Sequence, residues 1–271
     1  MLVAKGVVFR YGSHFGGVPH DSVFELQCLK FEACGGQVTG IIGANGSGKT
    51  TLLNLLAGQE KPAQGEIRLN NKILSQLGGN ERRHLIGRVH MDNPQMLVDD
   101  LLVVDHVALS MIASGKHIPL FPRLLLHRRA EESFPAFFKK FFLDIGSLLN
   151  RKVSSLSSGQ RQGLGNLLGF SVGQNLLMAD EGTATLDAIR ATEFVQWIKE
   201  LGRRDNIPVL LASHDLRLVA EYTDKVYILE NGFVSEISGF EHRDKQRRLD
   251  LLEERIGASM KEPERTSTAD G

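Results

Sequence analysis

The chain of 271 residues has few cysteines, few aromatic residues and no long apolar run. Its only cysteines are Cys28 and Cys34, which excludes a disulfide framework and is typical of a reducing compartment. No stretch approaches the ~20 apolar residues of a membrane-spanning helix, and residues 1–11 lack the apolar run of a signal peptide. We therefore expect a soluble protein that reaches a membrane only through a partner.

The formal net charge is zero, because Lys and Arg total 32 and Asp and Glu also total 32. No overall field draws such a protein onto nucleic acid or anionic lipid, so we predict no nucleic-acid partner. What is present is an ordinary globular composition, with 42% apolar and 24% charged residues. A chain of this length and composition can bury a large core.

Short apolar runs alternate with helical stretches along most of the chain, which predicts an α/β fold with a parallel sheet. The apolar pattern of residues 50–57 predicts a helix, and residues 92–153 indicate a mostly helical insertion, with helical spacing at 103–112 and 128–149. Residues 240–271 have the composition of a charged C-terminal tail. The predicted strands cover residues 2–11, 22–31, 37–42, 66–70, 85–91, 175–179, 209–213 and 225–230.

A glycine-rich segment between a predicted strand and a predicted helix fits the pattern G-x-x-x-x-G-K-[ST]. Glycines allow successive N–H groups to point at phosphate oxygens, and the helix N-terminus adds further N–H groups. In this pattern Lys49 supplies charge to the β- and γ-phosphates and Thr50 ligates Mg²⁺. We predict a nucleoside triphosphate site with Mg²⁺, formed by Gly43, Asn45, Gly46, Ser47, Gly48, Lys49, Thr50 and Thr51.

A second apolar run, residues 176–179, ends in the acids Asp180 and Glu181. Open α/β sheets bind ligands at the carboxyl ends of their strands, so both acids are expected beside the phosphates. We predict that Asp180 holds Mg²⁺, through water, and that Glu181 is the general base that polarises the attacking water.

These motifs, with Leu-Ser-Ser-Gly-Gln at residues 156–160, make residues 2–239 similar to the ATP-binding subunits of ABC transporters. The pentapeptide resembles the family signature LSGGQ, with Ser158 in place of the first glycine. In that family the signature contacts the γ-phosphate of ATP bound to the opposite subunit. The resemblance therefore implies nucleotide contacts for Ser157, Ser158, Gly159 and Gln160.

Further family positions can be matched one by one. Asp187 corresponds to the D-loop aspartate, which acts across a dimer interface. His214 follows the predicted strand 209–213 and matches the switch histidine that contacts the γ-phosphate. Tyr11 stands where the family places an aromatic residue on the adenine ring.

One position departs from the family pattern. The family has Gln at the end of the strand that enters the helical insertion, whereas this chain has Met91 there and Gln95 four residues later. A thioether is a poor ligand for Mg²⁺. Gln95, His90 or water would have to replace the missing amide, or turnover would be slow.

The resemblance implies a P-loop NTPase core of the RecA-like kind with a mixed sheet, an N-terminal antiparallel β subdomain and an inserted helical subdomain. The ATPase domain would span residues 1–239, with its core at 1–91 and 154–239. It also implies a peripheral ATPase on the cytoplasmic face of a membrane, partnered by transmembrane permease subunits, a second copy of the chain and an extracytoplasmic substrate-binding protein. A soluble ABC ATPase without a transport role and a weakly active member of a heterodimer are the alternatives.

Overall fold

The computed structural model describes residues 1–10, 24–90, 97–113, 148–171, 175–180, 188–241 and 244–259. The strands within these ranges are numbered β1 to β10 along the chain, with the bounds given below, and they form one sheet in the order β5-β4-β1-β2-β10-β9-β3-β8-β7-β6. One half of this sheet is antiparallel and the other half is parallel. Within the described ranges, no helix has the length and apolarity needed to cross a bilayer.

The antiparallel half is built on β1 (Leu2–Arg10), which pairs with β2 (Glu25–Ala33) on one side and with β4 (Gln64–Leu69) on the other. The short strand β5 (Lys72–Ile73) forms its outer edge. Burial alternates along much of β1 and β2, as expected for a sheet with one face on the core. This half is the antiparallel β subdomain that the family resemblance predicts.

The parallel half consists of β9, β3, β8, β7 and β6, all running in the same direction. Every residue of β3, β7 and β8 is buried, because helices cover both faces. This two-sided burial explains their continuous apolar sequences. The bounds are Val38–Ile42 for β3, Ile86–His90 for β6, Leu176–Asp180 for β7, Val209–Ala212 for β8 and Lys225–Glu230 for β9.

Strand β10 (Phe233–Glu236) joins the two halves, since it is antiparallel to β9 and parallel to β2. The Tyr227 hydroxyl adds a second link by accepting a hydrogen bond from the Glu32 N–H at 3.0 Å. The two halves are therefore one continuous sheet, and the phosphate loop after β3 lies in the half with parallel strands.

The helices pack on this sheet around three apolar clusters. One cluster lies between α1 and both halves of the sheet, one includes α3, α4 and α5, and one includes α6 and α7. The described helices are α1 (Lys49–Leu56), α2 (Gly79–Leu85), α3 (Val103–Ala113), α4 (Ser158–Ser171), α5 (Ala188–Arg204), α6 (Leu216–Tyr222) and α7 (Lys245–Ser259).

The fold class agrees with the prediction, but the C-terminal segment differs from it. Residues 240–271 were expected to be a charged tail, yet residues 245–259 form α7. Phe240 and Leu252 are only 2% and 0% exposed, packed in the cluster with α6. Charged residues dominate the composition here, while apolar residues at helical spacing supply the buried face. Most of the predicted helix 128–149 lies outside the described residues.

Candidate functional site

The carboxyl ends of three neighbouring parallel strands meet at one edge of the sheet. Strand β8 lies between β3 and β7, and its last residue Ala212 is in register with Ile41 on one side and with Asp180 on the other. The phosphate loop follows β3, and His214 follows β8. Parallel strands therefore bring the loop, the histidine and the acid to the edge where open α/β sheets bind ligands.

The phosphate loop adopts a backbone that requires glycine. Gly43, Gly46 and Gly48 have φ angles of 154°, 76° and 102°. A Cβ on Gly43 would lie 2.5 Å from the Leu229 carbonyl oxygen, and a Cβ on Gly48 would lie 2.5 Å from Cζ of Phe24. The backbone thus curls tightly against its surroundings, as a phosphate-binding loop must. Phe24 was not among the predicted site residues, and no local sequence signal identifies it.

Lys49 lies inside this loop, with only 6% of its surface exposed. Its Nζ donates hydrogen bonds to the carbonyl oxygens of Gly43 at 3.0 Å and Ala44 at 3.1 Å. Helix α1 begins at Lys49 without a side-chain cap on its first N–H groups. The buried hydroxyl of Ser47 has no hydrogen-bond partner in the described part of the chain. An ammonium group, uncapped N–H groups and an unsatisfied hydroxyl together fit a phosphate chain.

Asp180, the predicted Mg²⁺ ligand, lies at the end of β7 and forms a buried ion pair with Arg88 of β6. The distance from Arg88 Nη2 to Asp180 Oδ2 is 2.9 Å, and the two side chains are 7% and 6% exposed. Burial lowers the pKa of Arg88, while its hydrogen bond to Asp180 and the carboxylate charge oppose that shift. Sequence reasoning did not identify Arg88.

The donor set around Asp180 suits Mg²⁺ better than a transition metal. Among the described residues, no cluster of three or more His, Cys, Asp or Glu side chains could hold a metal ion. Mg²⁺ needs no such cage, since it keeps several waters and takes one or two protein oxygens together with phosphate oxygens. Thr50 and Asp180 would supply the protein oxygens, and the site therefore fits Mg²⁺ that arrives with a nucleotide.

His214 is exposed in the short connection between β8 and α6. The next residue, Asp215, caps α6: its Oδ1 accepts hydrogen bonds from the N–H groups of Arg217 at 2.9 Å and Leu218 at 3.2 Å. The Asp215 N–H in turn donates to Ser213 Oγ at 3.1 Å. These bonds fix the backbone on one side of His214.

The signature residues begin α4 in a reciprocal capping arrangement. The Gln160 N–H donates to Ser157 Oγ at 3.3 Å, and the Ser157 N–H donates to Gln160 Oε1 at 3.0 Å. Ser157 and Ser158 are exposed, and Gly159 is partly exposed. Ser158 is the first residue of α4, so a helix conformation accommodates serine in place of the family glycine. The helix start is thus ordered and accessible.

Other predicted positions lie outside the described residues. They are the proposed base Glu181, the D-loop residue Asp187, the adenine-binding candidate Tyr11, Met91 at the position where the family has Gln, and Gln95, a candidate replacement for the missing amide. The backbone of His90 is described at the end of β6, in register with Asp180. The structure thus brings the loop, Asp180 and His214 to one edge of the sheet and places the signature separately at the start of α4, and predictions for the others stand on sequence alone.

A strand followed by a glycine-rich loop that ends in Lys49, with an acid at the end of the strand two positions away in the sheet, defines a P-loop NTPase. Within this class, residues 26–184 match the family model described as ABC transporter. The chain belongs to the ABC transporter family, and it is an ATP-binding and ATP-hydrolysing subunit of a transporter.

Individual relatives agree with this placement. The chain is 29% identical over 234 residues to the tyrosine transport ATP-binding protein of Clostridioides difficile, covering 86% of this chain and 90% of that protein. It is 29% identical over 216 residues to the methionine import ATP-binding protein MetN 2 of Bacillus cereus, covering 80% of this chain and 61% of that relative. The chain thus spans about three fifths of the second protein.

Solved structures agree on the fold. A dimeric ATP-binding cassette in a post-hydrolysis state with ADP and Pi has a TM-score of 0.71 at 23% identity, covering 88% of this chain and all of that one. A dimeric bacterial ABC transporter cassette has the same TM-score at 25% identity and the same coverage of this chain. Both support the P-loop architecture derived from the strand order.

Proposed function

We propose that this chain binds ATP with Mg²⁺ at the loop between β3 and α1 and hydrolyses it there to drive transport by separate membrane subunits. The observation that carries the proposal is the shared edge of the sheet, where the loop after β3, Asp180 at the end of β7 and His214 after β8 lie on adjacent strands. A triphosphate held at this edge would contact the phosphate-binding groups and the metal-binding carboxylate at once.

Each of these residues has a separate role in binding or hydrolysing ATP. Loop N–H groups and Lys49 bind and orient the phosphates, and Thr50 and Asp180 hold Mg²⁺, which when bound neutralises charge on the phosphate oxygens. Glu181 takes a proton from the attacking water, and His214 contacts the γ-phosphate. Tyr11 stacks on adenine. The assignments of Glu181 and Tyr11 rest on motif order alone.

A second copy of the chain would complete the site. The exposed N-terminus of α4, with Ser157 and Gly159, is a place where N–H groups can bind an anion presented by another subunit. Two such chains would associate head to tail in a closed symmetric dimer, with ATP between the loop of one and the signature of the other, and with Asp187 at the interface. The dimeric cassettes among the solved structures support this arrangement.

The partners would be transmembrane permease subunits, so the chain would lie on the cytoplasmic face of a membrane. The relatives' names, tyrosine transport and methionine import, favour amino-acid import and hence an extracytoplasmic substrate-binding protein. The segment 92–153, which the sequence predicts to be mostly helical, would transmit opening of the dimer to the permease. Copurification with an integral membrane protein would support transport, whereas copurification with nucleic acid would favour the soluble alternative.

The test of the site uses three forms of the full-length chain: wild type, Glu181→Gln and Lys49→Met. We expect wild type to bind and hydrolyse ATP with Mg²⁺. Glu181→Gln should bind ATP with similar affinity, lose turnover and accumulate as a dimer, while Lys49→Met should lose binding. Wild-type hydrolysis by Glu181→Gln would refute the base assignment. Failure of folded wild type to bind millimolar ATP with Mg²⁺ would refute the proposal itself.

A further inference from the structure

Arg88 occupies a position that no phosphate-loop or signature motif accounts for. It lies in β6, the strand next to β7, and its guanidinium is almost fully buried. Removing a guanidinium from water is costly unless its N–H groups find partners. Nη1 and Nη2 of Arg88 have hydrogen-bond partners, whereas its buried Nε has none in the described part of the chain, so the contacts of the two Nη groups set the position of this side chain.

The contacts of Arg88 extend in two directions. Nη2 donates to Asp180 Oδ2 at 2.9 Å. Nη1 donates to Asn54 Oδ1 at 2.6 Å in α1 and to Gln59 Oε1 at 3.0 Å just beyond that helix. Helix α1 begins at the phosphate loop, so Arg88 connects the helix that carries the loop to the acid at the end of β7.

The backbone of Arg88 makes a close contact of its own. Its carbonyl oxygen faces Gly169 of α4, where an added Cβ would lie only 2.4 Å away. Helix α4 begins with the signature, so the same residue contacts the signature helix, the loop helix and Asp180. A metal-binding carboxylate needs such contacts, because the groups that hydrogen-bond to a metal ligand fix its orientation.

Building on the proposed function, we infer that Arg88 is a positioning residue for the magnesium site: it fixes Asp180 Oδ2 so that the carboxylate is oriented to bind Mg²⁺ or its water. A planar guanidinium can bind the acid and the amides of Asn54 and Gln59 together, which a lysine ammonium cannot do with the same geometry. The inference concerns the orientation of Asp180 and assigns Arg88 no contact with nucleotide or metal.

The test measures metal binding directly, without turnover. Full-length protein is saturated with adenylyl imidodiphosphate, a nonhydrolysable ATP analogue, and Mn²⁺ affinity of the complex is followed by electron paramagnetic resonance of the free ion. We expect Arg88→Met to weaken Mn²⁺ binding by about tenfold or more, the usual size of losses behind metal ligands. Analogue binding in excess EDTA should remain within about threefold, because the loop contacts survive.

Two comparisons separate positioning from a structural effect. Arg248→Met removes another partly buried arginine, which bonds the carbonyl oxygens of Ala220 and Thr223, and it should leave Mn²⁺ affinity at the wild-type level. Adding Arg88→Met to Asp180→Asn should cause no further loss, since the group to be oriented is already changed. Should Arg88→Met fail to fold, Arg88→Lys replaces it, with an expected loss of several-fold.

Wild-type Mn²⁺ affinity in Arg88→Met, or in Arg88→Lys where that variant is used, would overturn the inference. An equal loss in Arg248→Met, or an additive loss in the double variant, would also overturn it. Failure of the wild-type protein to bind the analogue in the first place would instead count against the proposed function, so the two failures can be told apart.

Discussion

Gly169 of α4 lies so close to the backbone of Arg88 in β6 that a residue with a Cβ would clash at this position. A Cβ built on Gly169 would lie 2.4 Å from the Arg88 carbonyl oxygen and 3.0 Å from Val89 Cγ2. The obstacle is main chain, which cannot rotate away as a side chain could. This glycine therefore sets how closely the signature helix approaches the sheet.

Substitution of Gly169 should be destabilising even though alanine favours helices. In an open helix interior, Gly→Ala gains about 1 kcal/mol, but overpacking at a tight contact costs typically ~1–3 kcal/mol. We expect Gly169→Ala to lower the free energy of unfolding, measured by urea denaturation. Gly257→Ala in α7 is the matched control, because no described atom beyond its own stretch of helix backbone lies within 4 Å of its added Cβ, and it should be neutral or stabilising. An equal change in the free energy of unfolding of the two variants would contradict the tight contact between Gly169 and the Arg88 backbone.

Much of the fold could be predicted because its signals are local. Strands β3, β7 and β8 are buried on both faces, so each is an apolar run visible in the sequence. The phosphate loop lies within eight consecutive residues, and its spacing follows from the geometry of phosphate binding. The order of these elements along the chain then limited the topology to a few choices.

The parts that could not be predicted depend on contacts between distant residues. Arg88 and Asp180 are separated by 92 positions, and nothing beside Arg88 in sequence indicates an acid. Phe24 contacts Gly48 only after β2 has folded onto the sheet. In α7 the apolar residues Leu249, Leu252 and Ile256 are spaced for a helix, but the surrounding charges favoured a tail.

Leu252 should make a large contribution to stability if α7 is part of the core. Its side chain is 0% exposed and packs in the cluster with α6. We expect Leu252→Ala to lower the free energy of unfolding by about 2–5 kcal/mol, the usual cost of such a cavity. Leu29→Ala changes the same residue type where it is 82% exposed, and it should stay within about 0.5 kcal/mol of wild type. A loose tail would leave both variants unchanged in urea denaturation.

The two cysteines should differ sharply in reactivity. Cys28 is 1% exposed in β2, and burial raises the pKa of its thiol to about 12, whereas Cys34 is exposed. Thiolate is the species that reacts, so iodoacetamide at about pH 8 should label Cys34 in the folded protein and leave Cys28 untouched. Mass spectrometry would locate the label, and urea should make Cys28 reactive. Rapid labelling of native Cys34→Ser protein would disprove the burial of Cys28.

Asp215 should influence both stability and turnover, because it caps α6 immediately after His214. Loss of an N-cap acceptor costs about 1 kcal/mol, and the backbone beside His214 would lose the two bonds that the Asp215 side chain accepts. We therefore expect Asp215→Ala to unfold at lower urea concentration and to hydrolyse ATP more slowly. Asp215→Asn keeps a side-chain oxygen that can accept the same bonds, so it should remain close to wild type in both measurements. An equal loss of turnover in the alanine and asparagine variants would show that the carboxylate charge, and not the cap, supports ATP hydrolysis. It would contradict the expectation that Asp215 acts by fixing the backbone beside His214.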